Sequence, residues 1–108
     1  MRPTLKPLVF LGSSYDDLRE FPDSVRHALG VELMRVQFGA MPVDYKAMPA
    51  VGRGAYEIRV QVDGAWRVMY VAKYEAAIYV LHAFQKKTQK TSKTDLELGA
   101  IRYKLIGA

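Results

Sequence analysis

Residues 56–73, YEIRVQVDGAWRVMYVAK, decide the fold. Tyr56, Ile58, Val60 and Val62 alternate with Glu57, Arg59 and Gln61. An extended chain points successive side chains to opposite faces, so the segment predicts a strand with one apolar side. Asp63-Gly64 follows as a hairpin signal, because tight hairpin turns need positive φ and these residues tolerate it. AWRVMYVAK then returns as a second strand, with Trp66, Val68 and Tyr70 on one face and Arg67, Met69 and Val71 on the other.

Working outward, YEAAIYVLHAF (74–84) is nearly all apolar and predicts a third, central strand. Upstream, LVFLGSS (8–14) reads as a short strand entering a turn. SSYDDLREFP opens a helix that Ser13 or Ser14 can cap, with Asp16 and Asp17 at its positive end. Pro22 breaks that helix and suits the first turn of another, running to Phe38. Val25, Leu29, Leu33 and Val36 form its buried stripe, Gly30 is either a close-packing or a permissive position, and Gly39 supplies the stop. AMPVDYKAMPAVGRG (40–54) has prolines, glycines and no period, so it predicts a loop. Thr94-Asp95-Leu96-Glu97 matches a capping box and opens a last helix, with Leu98, Ile101 and Leu105 as its buried stripe. These elements predict one α+β domain over residues 1–108.

The 108 residues contain no cysteine and two histidines far apart, His27 and His82, which excludes disulfide frameworks, thiolate chemistry and zinc clusters as expectations. No phosphate loop is present, since VGRGAYE opens a strand, and no acidic pair is placed to hold two metals. The apolar run LVFL is too short for a signal-peptide core or a membrane span. The expectation is a soluble cytoplasmic protein without metal or cofactor. The net charge of +5 is lopsided: residues 1–45 hold six acids and five bases, and 46–108 hold five acids and eleven bases. Such an excess is either a solubilising face or the footprint of a polyanion binder.

The alternation places Arg59 and Arg67 on one side of two adjacent strands. A guanidinium can grip a phosphate through two parallel hydrogen bonds, which an ammonium cannot. The plainer reading pairs these arginines with Glu57 or Asp63. The third strand ends in LHAFQKKTQKTSKTD (81–95), bringing His82, Phe84, Lys86 and Lys87, followed by Lys90 and Lys93, with no acid before Asp95. Cations beside an aromatic ring at a strand end suit single-stranded RNA, the ring stacking on a base. Phe84 and His82 read equally as core residues, His82 as a satisfied buried imidazole. The lysines read as the rim of a site.

The segments LREFPDSVRHALG, QFGAMPVDYKAMPAVGRGAYEIRV and WRVMYVAKYEAAIYVLHAFQKKTQKTSKTDLELGAIRY together resemble the RelE/HigB superfamily of type II toxin–antitoxin toxins, in its phage-derived branch. The resemblance spans nearly the whole chain. It implies a RelE-like toxin fold with two N-terminal helices, a curved antiparallel sheet and a C-terminal helix. It implies a metal-independent endoribonuclease, an mRNA interferase, acting on mRNA and in many members on the translating ribosome. It also implies a helix-turn-helix antitoxin as partner. Family catalytic positions fall on the strand of Arg59, on Arg67 and on Lys86-Lys87. Glu57 stands where some relatives carry a base, and Tyr103, in the helix body, does not match the C-terminal tyrosine of others, so the general base stays open between a lysine and His82. On this reading Arg59 and Arg67 clamp the phosphate, Lys86 and Lys87 add charge, Phe84 stacks on a base, and Lys90 and Lys93 settle on ribosomal RNA. A non-catalytic RNA-binding module and an antitoxin-binding interaction subunit are the alternatives.

Overall fold

The computed structural model describes residues 5–107. In chain order the elements are β1 (Leu8–Phe10), α1 (Ser14–Arg19), α2 (Asp23–Gln37), β2 (Tyr45–Ala47), β3 (Ala55–Gln61), β4 (Ala65–Val71), β5 (Ile78–Lys86) and α3 (Lys93–Tyr103). The five strands form one sheet in the order β1-β5-β4-β3-β2. This is a mixed α+β architecture of three helices and one sheet, compatible with a RelE-like fold.

The hairpin β3–β4 closes over Asp63 (φ 46°) and Gly64 (φ 128°), the turn that the sequence marks. β5 lies between β1 and β4, so both its edges are paired, although the middle strand is β4. Two expectations need correction. The sheet is not wholly antiparallel, because β1 pairs β5 in parallel, Leu8 opposite Ile78. The 40–54 segment is not all loop: β2 pairs antiparallel with β3, Tyr45 opposite Ile58 and Lys46 opposite Glu57. Three residues between prolines are too short to show a period, and only the partner strand reveals them.

Both faces of the sheet are covered. On one, Val25, Leu29, Leu33 and Val36 of α2 pack against Ile58, Val68, Tyr70, Ile78 and Val80, as the helical spacing requires. Pro22 is the N-cap of α2, and Gly39 (φ 89°) ends it with its N–H on the Val36 carbonyl. Gly30 is a permissive position: a Cβ there would meet nothing within 4 Å. α1 starts after Ser13, whose hydroxyl donates to the Asp17 carboxylate, while the buried Ser14 hydroxyl donates to the Val80 carbonyl.

On the other face Met48, Val51, Met69, Val71, Leu81 and Phe84 pack with Leu96, Tyr103 and Ile106. Here α3 departs from its expected register. Its N-cap is Ser92, not Thr94, and the Ser92 hydroxyl accepts from the Asp95 N–H at 3.1 Å. Gly99 faces the sheet, where a Cβ would lie 2.7 Å from Met69 Sδ. Ile101 and Leu105, expected in the core, are 60% and 53% exposed, and Leu98 is only half-buried. The helix turns this way because the absent side chain of Gly99 lets its backbone approach the sheet, and because Asp95 and Arg102 on that side find polar partners. Among the described residues no helix is long and apolar enough to cross a membrane.

Candidate functional site

The strand register assembles the site. Arg59 lies directly opposite Arg67, Arg67 opposite Phe84, and Ala65 opposite Lys86. Glu57 sits between Lys46 of β2 and Met69 of β4. Period-two alternation sends Lys46, Glu57, Arg59, Arg67 and Lys86 to the α3 side of the sheet. Two arginines opposite each other repel, and Glu57, diagonal to Arg67, offsets that repulsion.

A cavity of about 400 Å³ opens beside this cluster. Lys46, Arg59, Lys86 and Lys90 bring cations to it, Glu57 and Thr91 bring acceptor and hydroxyl, and Met48, Pro49 and Leu96 form an apolar wall. Glu57 is 1% exposed. Its Oε1 lies 3.5 Å from Arg67 Nε, and its Oε2 accepts from the Thr91 hydroxyl at 3.2 Å. Burial pushes the Glu57 carboxyl above the ordinary carboxylate range, against the opposing pull of Thr91, Arg67, Lys86 and Arg59. Lys86 is held below the usual lysine range, first by burial and then by Arg67, with Arg59 and Lys46 adding to it. Burial also lowers Arg67, and Glu57 resists that. Glu57 and Lys86 are thus shifted toward each other, the pattern that suits a base and an acid working together.

The sequence-predicted residues divide into two groups. Arg59 and Lys86, both half-buried, and the exposed Lys90 share the cavity, and Arg59 Nε has no hydrogen-bond partner among the described residues. Arg67 belongs to the same cluster but is 6% exposed, lying against Glu57 and donating from Nη1 to the Trp66 carbonyl. Unlike Glu57 it is not part of the cavity lining, and the plainer reading of an arginine paired with Glu57 describes its contact. Lys87 points to the opposite face, beside Gln85, Trp66 and Glu20. Lys86, the last residue of β5, lines the cavity and Lys87, just past the strand, does not, so the Lys86-Lys87 pair is split. Lys93 is at the start of α3, exposed, with Nζ 3.9 Å from Glu97.

His82 and Phe84 are core residues, stacked on each other with centroids 4.8 Å apart. His82 Nε2 lies 2.7 Å from Asp95 Oδ1, and Arg102 bridges to the Leu81 carbonyl and the Ser13 hydroxyl at 3.0 Å each. This polar network ties β5 to α1 and α3. A bulge places both Leu81 and His82 on the α3 side, as the register shift between Met69 and Tyr70 requires. Tyr103 donates to the Arg53 carbonyl at 2.7 Å and is not part of the cavity. Among the described residues no three His, Cys, Asp or Glu side chains cluster to hold a metal ion.

Two site residues, Lys46 and Thr91, escape a sequence reading, and Glu57 shows only its position. Lys46 is hidden by the unrecognised β2. Glu57 was legible in position, since alternation puts it beside Arg59, but nothing local announces its burial. Thr91 carries no signal in a run of polar residues.

The family described as phage-derived protein Gp49-like (DUF891) matches residues 16–104. The chain belongs to the Gp49-like family. This family is associated with RelE-type, toxin-like proteins. The matched span runs from α1 to the end of α3 and includes every residue that lines the Gp49-like protein's cavity. No curated protein matches the sequence.

Proposed function

We propose that this Gp49-like protein is the toxin of a type II toxin–antitoxin pair, of the HigB-like branch, and that it cleaves mRNA by attack of the RNA's own 2′-hydroxyl. One observation carries the reading: a buried carboxyl, Glu57, in the wall of a cationic cavity beside Arg59 and Lys86. A metal-free ribonuclease must align the ribose and phosphate, neutralise the phosphorane and move two protons. The Glu57 carboxylate takes the 2′-hydroxyl proton. The 2′-oxygen then bonds to phosphorus as the bond to the 5′-oxygen breaks, and Lys86 gives that oxygen a proton. The products are a 2′,3′-cyclic phosphate and a 5′-hydroxyl.

Arg59, whose side chain lines the cavity, grips the non-bridging oxygens. Arg67 holds the Glu57 carboxylate. Lys46 and Lys90 attract the flanking backbone, a salt-sensitive role, and the wall of Met48, Pro49 and Leu96 takes the base contact that the buried Phe84 cannot make. The partners on this reading are mRNA on the translating ribosome and a helix-turn-helix antitoxin.

The test is induction in cells, with and without the neighbouring partner, followed by mapping of RNA ends. Wild type arrests growth and leaves cyclic-phosphate ends, and Arg59→Ala loses about 10²–10³-fold in cleavage rate, as for one preorganised donor. RNA retention at low salt without new ends would reduce the protein to a binding module, and cleavage that survives Glu57→Gln would overturn the assignment of the base.

A further inference from the structure

The segment between β5 and α3 does more than connect them. Ser92 is fixed at the N-terminus of α3, accepting from the Asp95 N–H and donating to Asp95 Oδ2 at 2.6 Å. Asp95 is in turn fixed by His82 at 2.7 Å. The neighbouring residue, Thr91, is therefore held by a capped helix and a buried imidazole rather than by a free loop. Its hydroxyl donates to Glu57 Oε2, the oxygen opposite the one that faces Arg67. We propose that Thr91 is a positioning residue: its hydroxyl holds the Glu57 carboxyl in one rotamer, with each oxygen assigned its own partner.

The charged groups around Glu57 set the context for this role. They are Lys46 opposite it on β2, Arg59 on its own strand, Arg67 on β4, Lys86 on β5 and Lys90 next to Thr91, while the Asp95 of α3 is engaged with His82. The four strand-borne cations act at a distance and from several directions. Thr91 gives the only directional hydrogen bond that Glu57 receives among the described side chains. A hydrogen bond to the ionised form favours that form, so losing it leaves burial less opposed.

The inference rests on the reading of Glu57 as the base, and the experiment separates the two. Thr91→Val keeps the shape and removes the hydroxyl, whereas Thr91→Ser keeps the hydroxyl. The Glu57 side-chain carboxyl is titrated by ¹³C NMR in each protein without RNA, with circular dichroism checking the fold. The midpoint rises in Thr91→Val and returns in Thr91→Ser. In RNA cleavage, kcat below the midpoint falls about tenfold for each unit of that rise, and KM is unchanged. An unaltered midpoint in Thr91→Val overturns the proposal. A midpoint that shifts in Thr91→Val, when the wild-type protein never cleaves RNA, upholds the role of Thr91 at Glu57 and overturns the nuclease reading instead.

Discussion

Arg67→Ala is the perturbation that separates structure from chemistry at this site. Arg67 Nε lies 3.5 Å from Glu57 Oε1, with both side chains nearly inaccessible. At that distance and an effective dielectric constant of about 20, opposite charges attract by about 5 kcal/mol. Removing one partner leaves a buried charge unpaired, which costs about 3–5 kcal/mol. Domains of this kind have only about 5–15 kcal/mol in total, so Arg67→Ala should approach unfolding. With a urea m-value of about 2 kcal/mol per M, its midpoint falls by about 2 M. Arg59→Ala, which opens no buried pair, should move the midpoint little. A double-mutant cycle of Arg67→Met with Glu57→Gln isolates the pair. The coupling reaches several kcal/mol where Glu57 is ionised, and it shrinks as falling pH protonates Glu57 through its raised value. Coupling of under about 0.5 kcal/mol with Glu57 ionised, the level of an exposed pair, would refute the argument. Lost activity in Arg67→Ala alone would not identify a catalytic residue.

The remaining predictions concern pH and packing. Burial raises Glu57 and lowers Lys86, so kcat/KM should be bell-shaped, its acid limb above the ordinary 4.5 and its basic limb below the ordinary 10.5. Because the folded state holds the Glu57 proton more tightly than the unfolded chain, that contribution to stability is full below pH 4.5 and is lost as pH rises through the raised folded value. Urea titrations should show this slope in wild type and not in Glu57→Gln. Gly30→Ala, with open space around the new methyl, should stabilise by about 1 kcal/mol and raise Tm by about 4 °C. Gly99→Ala gains the same propensity, yet its methyl lies 2.7 Å from Met69 Sδ and 3.3 Å from both Val51 methyls, so overpacking of about 1–3 kcal/mol offsets the gain and Tm falls.

The local parts of this fold were legible where one rule governed a long enough segment. Fifteen residues of α2 show their stripe because four buried positions recur at helical spacing, and the β3–β4 hairpin shows itself because alternation and Asp63-Gly64 agree. α3 was misjudged because two rules conflicted. Its apolar residues suggested one face, and the Ser92 cap, the flat face at Gly99 and the polar partners of Asp95 and Arg102 selected another. Local apolar periodicity cannot weigh a close helix–sheet approach that depends on what lies opposite.

The sequence by itself determined the face on which Arg59, Arg67 and Lys86 lie, since alternation along a strand is a property of the chain alone. It left Lys86 and Lys87 together as one pair, which the structure splits. Only the tertiary structure decided which of these cations reach a ligand. Depth depends on tertiary packing, which buries Arg67 against Glu57 while leaving Arg59 and Lys86 at the cavity. That packing also brings Thr91 to Glu57 across 34 positions of sequence, a contact that burial and register create and that no local pattern encodes.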